Sequence, residues 1–297
     1  MSVFADSKLK PLLDEGFYSL KPHELAFFKS QTGIHDPEDL KQHIIGVQKK
    51  AYEVYGYPCI RRFSFTRLKI TQSLIYDYLV QIPREREGAV FLDIGCCFGT
   101  DIRKAVADGW PVENVIGSDL RKAEFWECGH DLFNSSPTSF PAAFVGGDAF
   151  ELISPRPPFY TEPKTPRPNL QDLNSLTPLQ GHISAIHTSS FFHLFNEGKQ
   201  LELARRVATL LSVTPGSVIF GSHVGLPKKG IRKGARSTEM FCHSPETWEE
   251  LWDGKVFEKG SVRVDTRLDK FMREDFLLTT AGKMVESFLL SWSVTRV

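Results

Sequence analysis

Apolar positions recur at helical spacing through the first 85 residues, and the chain marks where the helices begin. Signals around Pro22 to Ser30 are weak. Asp36-Pro37-Glu38-Asp39 then supplies an N-cap, a proline at the first helical position and acids in the first turn. Leu40, Ile44, Val47, Ala51 and Val54 follow three or four apart, which predicts a helix that stops near Tyr55-Gly56-Tyr57-Pro58. A second helix is predicted over Thr66 to Ile82. It would carry Ile70, Leu74, Ile75, Tyr78, Leu79 and Ile82 on one face, with Pro83 beyond its end.

From Gly88 the pattern changes to short apolar runs alternating with helical ones, the mark of a parallel sheet with crossover helices. Strands are expected at Ala89–Ile94, Val115–Asp119, Ala143–Val145, Ile183–His187 and Ser217–Ser222, with helices at Asp101–Asp108, Glu124–Phe133 and Lys199–Leu211. The stretch 151–178 has seven prolines in 28 residues and no periodicity, so it reads as a long loop or lid after the third strand. Ser244-Pro245-Glu246 opens a further capped helix. Two β-like runs, Ser261–Leu268 and Leu289–Val297, would then pair antiparallel on the sheet edge. The expected organisation is an N-terminal helical cap over 1–85 and an α/β core over 86–297.

Charge and composition narrow the function. With 36 basic against 36 acidic residues there is no electrostatic footprint for a nucleic-acid backbone or an anionic membrane. The stretches 173–196 and 207–227 lack Asp, Glu, Lys and Arg, yet the first is rich in Ser, Thr, Asn, Gln and His and the second is broken by Pro215-Gly216. Buried central strands explain both better than membrane spans. The N-terminus carries no apolar core of a secretory signal. The five cysteines are odd in number and form no C-x-x-C pair, which points to a reducing, cytoplasmic setting without a disulfide framework or a metal site.

The most informative stretch is Phe91-Leu92-Asp93-Ile94-Gly95-Cys96-Cys97-Phe98-Gly99-Thr100-Asp101. A buried strand ends in an acid, the chain turns through two glycines four apart, and a helix begins. Such a turn lets a ligand approach bare backbone at a helix N-terminus. The spacing is G-x-x-x-G, so it fits neither the dinucleotide fingerprint G-x-G-x-x-G nor a P-loop ending in G-K-[ST]. An acid two residues before the first glycine suits a ligand that carries an ammonium and a sulfonium, which is S-adenosyl-L-methionine.

The stretch D-I-G-C-C-F-G resembles the first motif of class I S-adenosylmethionine-dependent methyltransferases. The resemblance implies a Rossmann-like, mostly parallel sheet of seven strands with a terminal antiparallel hairpin, and a cofactor site of Asp93, Gly95, Cys96 and Gly99. Asp119, 26 residues beyond Asp93, stands where the family places the acid for the ribose hydroxyls, beside Leu120. Asp148 stands where it places an acid near the adenine amino group, beside Ala149. The segments Y-E-V-Y-G-Y-P-C-I-R-R-F-S-F, S-S-F-F-H-L-F, F-G-S-H-V-G and M-F-C-H-S-P-E-T-W are similar to a fungal branch of these enzymes, which methylates carboxyl or hydroxyl oxygens of polyketide or terpenoid intermediates in secondary metabolism.

After the fourth strand the chain reads Thr188-Ser189-Ser190-Phe191 where amine-methylating nucleic-acid enzymes of this class have [Asp/Asn]-Pro-Pro-[Tyr/Phe]. A small-molecule oxygen acceptor fits better. His187, His193 and His223, at or after the ends of the fourth and fifth strands, are candidate bases, or else structural hydrogen-bonding groups. Arg61 is a candidate partner for a carboxylate of the cofactor or of an acidic substrate. Cys96 and Cys97 read as packing residues, and the basic run from Lys228 to Arg236 as a solvated loop. Two other readings stand beside this one: a non-catalytic regulatory protein of the same fold, and a protein or nucleic-acid methyltransferase.

Overall fold

Helices begin where the chain supplies its own caps. The computed structural model describes residues 10–120, 122–233, 239–275 and 283–297. Helix α1 (Pro22–Thr32) ends at Gly33 in the left-handed region, and α2 (Pro37–Val54) starts with the Asp36 carboxylate accepting the N–H groups of Glu38 and Asp39. Leu40, Ile44, Val47 and Ala51 are buried, as their spacing predicts. Phe27 and Phe28 of α1 join them against Phe98, Phe125, Leu132 and Phe133.

The long helix expected over Thr66–Ile82 does not form. After α3 (Pro58–Arg61) the chain forms 3-10 turns at Ser64–Thr66 and Ile70–Gln72, then α4 (Tyr76–Leu79) and α5 (Ile82–Glu85). Its backbone groups find tertiary partners. The Ile70 N–H donates to the Asp101 carboxylate at 3.0 Å, and the Phe65 carbonyl accepts from Thr100 Oγ1 at 2.7 Å. Ile70, Leu79 and Ile82 still bury together. The apolar periodicity therefore reported a common core, and not a continuous helix.

Nine strands follow among the described residues: β1 (Phe91–Ile94), β2 (Val115–Asp119), β3 (Ala143–Gly146), β4 (Ala185–His187), β5 (Val218–Val224), β6 (Gly230–Lys233), β7 (Glu239–Cys242), β8 (Val262–Asp275) and β9 (Lys283–Arg296). Seven of them form one sheet in the order β3-β2-β1-β4-β5-β9-β8. β1 to β5 are parallel, while β9 runs antiparallel between β5 and β8. The expected mostly parallel sheet with a terminal antiparallel hairpin is what the chain builds. The crossovers carry α6 (Thr100–Ala107), α7 (Lys122–Leu132), α8 (Ala149–Leu152) and α9 (Glu197–Leu210), and α10 (Pro245–Trp252) packs beside β8.

Alternate strand residues feed opposite faces. Leu92, Ile94, Ile186 and Ile219 pack on one side with Leu203, Val207, Trp248, Trp252 and Trp292. Phe91, Val115, Ala185 and Phe220 pack on the other with Ile102, Trp110 and Leu79. Each buried ring of tryptophan size removes roughly 150–250 Å² from water, on the order of 4–6 kcal/mol before entropy is counted.

Two segments differ from their sequence reading, and a third gains detail. The Pro-rich stretch, expected as a long loop or lid, is a loop from Ile153 on with short 3-10 turns. Arg167 reaches Asn114 just before β2, Gln171 Nε2 donates to Pro141 O just before β3, and Arg296 donates to Phe159 O at the end of β9. These anchors strap it across the N-terminal edge of the sheet. From Gly230 the described part of the basic run is strand β6, paired with β7 from Gly230↔Cys242 to Lys233↔Glu239. Residues 234–238 lie outside the described residues. Finally, the β8–β9 ladder continues past the last β5 pair, Val224↔Leu289, out to Asp275↔Lys283. Beyond β5 no third strand among the described residues pairs with the ribbon, so apolar and polar residues need not alternate and the extension is invisible in the pattern.

Gly129 in α7 gives a test of this packing. Alanine in place of glycine within a helix normally stabilises by up to about 1 kcal/mol. Here a Cβ would stand 2.3 Å from Phe98 O. Gly129→Ala is expected to destabilise by about 1–3 kcal/mol, read as a lower urea midpoint; an unchanged or higher midpoint would contradict the close approach of α7 to the glycine turn.

Candidate functional site

The strand order reverses between β1 and β4, and in open α/β sheets the crevice at the carboxyl ends of such strands is the ligand site. The turn after β1 is built for it. Gly95 (φ 78), Cys97 (φ 53) and Gly99 (φ 70) all take left-handed backbone. Gly95 N–H and Cys96 N–H donate to Ser118 O at 2.7 and 3.1 Å, and Gly99 N–H donates to Cys96 O at 2.8 Å. A Cβ at Gly99 would meet the Trp126 ring at 2.7 Å, so glycine is needed for space as well as for φ.

The acids predicted for this edge are brought to neighbouring strand ends. Asp93 is buried in β1. Asp119 ends β2 half-buried and accepts the Cys97 N–H through Oδ2 at 2.9 Å, which ties the turn to the second strand. Asp148 is exposed two residues beyond β3 and caps α8 by accepting Phe150 N–H at 2.9 Å. Leu120 is exposed and Ala149 is buried.

Beneath the turn lies a buried polar cluster. His187 of β4 pairs in register with Asp93, and its Nδ1 lies 2.9 Å from Asp93 Oδ1. Its Nε2 lies 2.8 Å from Ser189 Oγ, which also accepts the Ser222 N–H at 3.1 Å. Burial pulls the His187 pKa down, but the Asp93 carboxylate, by charge and hydrogen bond, and Asp101 outweigh it, so the net shift is upward. Burial raises the Asp101 pKa against the pull of His187 and Lys69. One ligating atom each of Asp93, Asp101 and His187 lies within 4.8 Å of the others. Both His187 ring nitrogens are already engaged inside the protein, so this set is a hydrogen-bonded network and not an open cation cage.

The three candidate histidines separate. His187 is held on both ring nitrogens and 2% exposed, which is the environment of a positioning group and not of a base facing a substrate. His223 is also 2% exposed and accepts the Trp292 Nε1–H on Nδ1 at 2.9 Å. Trp248 stands 4.5 Å from its ring. Burial, then His193 and His243, push its pKa well below the ordinary value, so it is neutral and carries its proton on Nε2. His193 is half-buried on the 3-10 turn Phe192–Leu194 that follows β4. Arg61 donates through Nε to Leu12 O at 2.7 Å, and its guanidinium lies 4.9 Å from the Phe17 ring centre, which engages it with the N-terminal segment. Burial raises the Cys96 and Cys97 pKa values well above that of an ordinary thiol, in keeping with packing residues.

Sequence reading missed Lys69, whose charge is felt at Cys59, Cys97, Asp101 and His187. It sits in the segment predicted as helix, so nothing local marked it. Ser189 had a signal: two residues past His187, it lies on the same face of an extended chain. A separate cleft of about 590 Å³ lies between α1, the Ile70–Gln72 turn and α6, lined by His23, Gln31, Thr71 and Lys104 among others, with no residue of the glycine turn in its wall. No helix among the described residues is long and apolar enough to cross a membrane.

Comparison with known proteins finds methyltransferases. The meroterpenoid methyltransferase N-terminal domain family matches residues 15–66. The chain is 31% identical over 259 residues to an asnovolin E/chermesin D methyltransferase of Aspergillus novofumigatus, covering 87% of this chain and 83% of that protein. It is 34% identical over 244 residues to an O-methyltransferase of Stereocaulon alpinum, covering 78% of this chain and 62% of that one. Among solved structures, a 1,6-didemethyltoxoflavin N1-methyltransferase of Burkholderia thailandensis aligns over 94% of this chain and 92% of its own, at 13% identity and a TM-score of 0.45.

The buried imidazoles set an acid limit. Burial lowers the His243 pKa from 6.5 to about 4, and its Nδ1 is bonded to Thr247 Oγ1 at 3.0 Å. A histidine whose folded pKa lies below its unfolded value stabilises fully above the unfolded pKa, and that contribution is lost as pH falls toward the folded one. Between pH 6.5 and 4 the protein should therefore lose up to about 3 kcal/mol through this group. In urea titrations at stepped pH, His243→Gln should show a shallower slope; an identical slope would assign the acid loss elsewhere.

Proposed function

This chain belongs to the fungal family of secondary-metabolism methyltransferases, and we propose that it transfers the sulfonium methyl of S-adenosyl-L-methionine to a carboxyl or hydroxyl oxygen of a small apolar, polyketide- or terpenoid-like acceptor. The observation that carries the cofactor reading is the set of three acids at the adjacent ends of β1, β2 and β3 around a turn of left-handed backbone. The residues fit the group. Gly95 is half-buried at the turn and has no side chain of its own to fill the space above it, Asp119 lies half-exposed at the end of β2, and Asp148 is exposed beyond β3. Gly95, Cys96 and Gly99 would hold the methionyl part, with Asp93, 2% exposed and bonded to His187, fixing the strand end behind them; Asp119 and Leu120 would hold the ribose, and Asp148 and Ala149 the adenine.

S-adenosylmethionine, when bound, supplies a methyl group that is already activated. The protein's part is then alignment and exclusion of water. A carboxylate acceptor is anionic at neutral pH and needs no base, whereas a phenol or enol needs its proton removed. His193 is assigned that role, because it stands half-buried on the segment after β4 while His187 and His223 are enclosed. Neutral composition and the Thr188-Ser189-Ser190-Phe191 segment support a small acceptor over nucleic acid.

Asp119→Ala should weaken S-adenosylhomocysteine binding by roughly 10–100-fold, the effect of losing a charged hydrogen-bond acceptor worth about 1.5–3 kcal/mol; unchanged affinity by calorimetry would remove Asp119 from the site. With a panel of apolar carboxylic acids and phenols, His193→Asn should abolish turnover on phenols and spare the acids. Equal retention of both would leave the reaction without a histidine base.

A further inference from the structure

Ser190 is a non-glycine residue in the left-handed region, at φ 57. Such strain persists only where the surroundings enforce it, and it gathers at functional sites. Here Ser190 N–H donates to Ser222 O at 2.7 Å. The strand beside it carries Gly221, where a Cβ would stand 2.0 Å from Thr188 O. The next residue is Phe191. Its ring lies 3.2 Å from the position a Cβ would take at Gly95. Phe191 and Gly95 are both half-buried, so this ring borders the open side of the cleft. Phe195 stands edge-on to Phe191 at 5.4 Å, and Phe150, beside Ala149, stands edge-on to Phe195 at 5.3 Å. An aromatic wall thus runs from the end of β3 to the glycine turn.

We infer that Phe191 contacts the sulfonium of the methyl donor and lets the site tell the cationic donor from its neutral product. This rests on S-adenosylmethionine being the cofactor. With adenine at Asp148 and the methionyl part at the glycine turn, the sulfonium linking them falls beside Gly95, against this ring. An aromatic π-face attracts a cation within about 6 Å of its centre, and a neutral thioether gains no such attraction. In the transfer an acceptor lone pair forms the new O–C bond while the C–S bonding pair stays on sulfur, which becomes neutral. The attraction to Phe191 ends with the charge, so turnover itself loosens the product.

The test is calorimetric titration of the full chain with S-adenosylmethionine and, separately, S-adenosylhomocysteine, for the wild type, Phe191→Leu, Phe191→Met and Phe191→Tyr. Phe191→Leu and Phe191→Met should weaken the donor about 3–30-fold and change product affinity less than about 2-fold, with Phe191→Tyr restoring the difference. Retained product binding also certifies the fold. Equal weakening of both ligands, or an unchanged donor affinity, would overturn the inference and leave the ring as packing. Failure of the wild type to bind either ligand would instead remove the cofactor reading, and this inference with it.

Discussion

The hydrogen bond between Asp93 and His187, 2.9 Å long and closed off from water, is the joint of the site. It spans β1 and β4 at the point where the strand order reverses, so it fixes the two strand ends whose separation makes the crevice. A buried carboxylate without a partner is costly; His187 compensates Asp93, while the Lys69 charge favours the ionised form of Asp101. From His187 the chain of contacts runs on to Ser189 and Ser222, which fixes the segment after β4 to the start of the β5 exit. The acid beneath the glycine turn and the segment that would meet the acceptor are therefore parts of one network.

Behind this network the two faces of the sheet are finished differently. On one side Trp248, Trp252 and Trp292 pack with Phe192 and His223, locking the antiparallel hairpin to β5 and to the turn after β4. On the other, the broken segment from Phe63 to Glu85 covers β1 and α6 and gives its Ile70 N–H to Asp101. The site edge is bordered by both, while the Pro-rich strap holds the opposite edge. Rigid elements thus surround a turn whose own backbone lies in the left-handed region.

Much of this was legible from the chain. β2 has the bounds expected for it, and the other core strands differ by a few residues at their ends. Asp36, Asn196 and Ser244 cap α2, α9 and α10 through local contacts that need no tertiary information. The glycine spacing and the placement of Asp93, Asp119 and Asp148 were readable because each lies within two residues of a strand end, and strand ends in a parallel sheet share one edge.

What the sequence by itself determined is whatever depends on neighbours within a few residues: helix starts, buried strands, and the turn whose glycines permit left-handed backbone. The tertiary structure alone decided which edge the prolines cross, that Thr66–Ile82 breaks into short turns, and that His187 and His223 are enclosed while His193 is not. The physical reason is the same each time. A backbone N–H or an imidazole nitrogen must find a partner, and when that partner lies many residues away, as Asp101 does for Ile70 or Trp292 for His223, only the folded chain can say so.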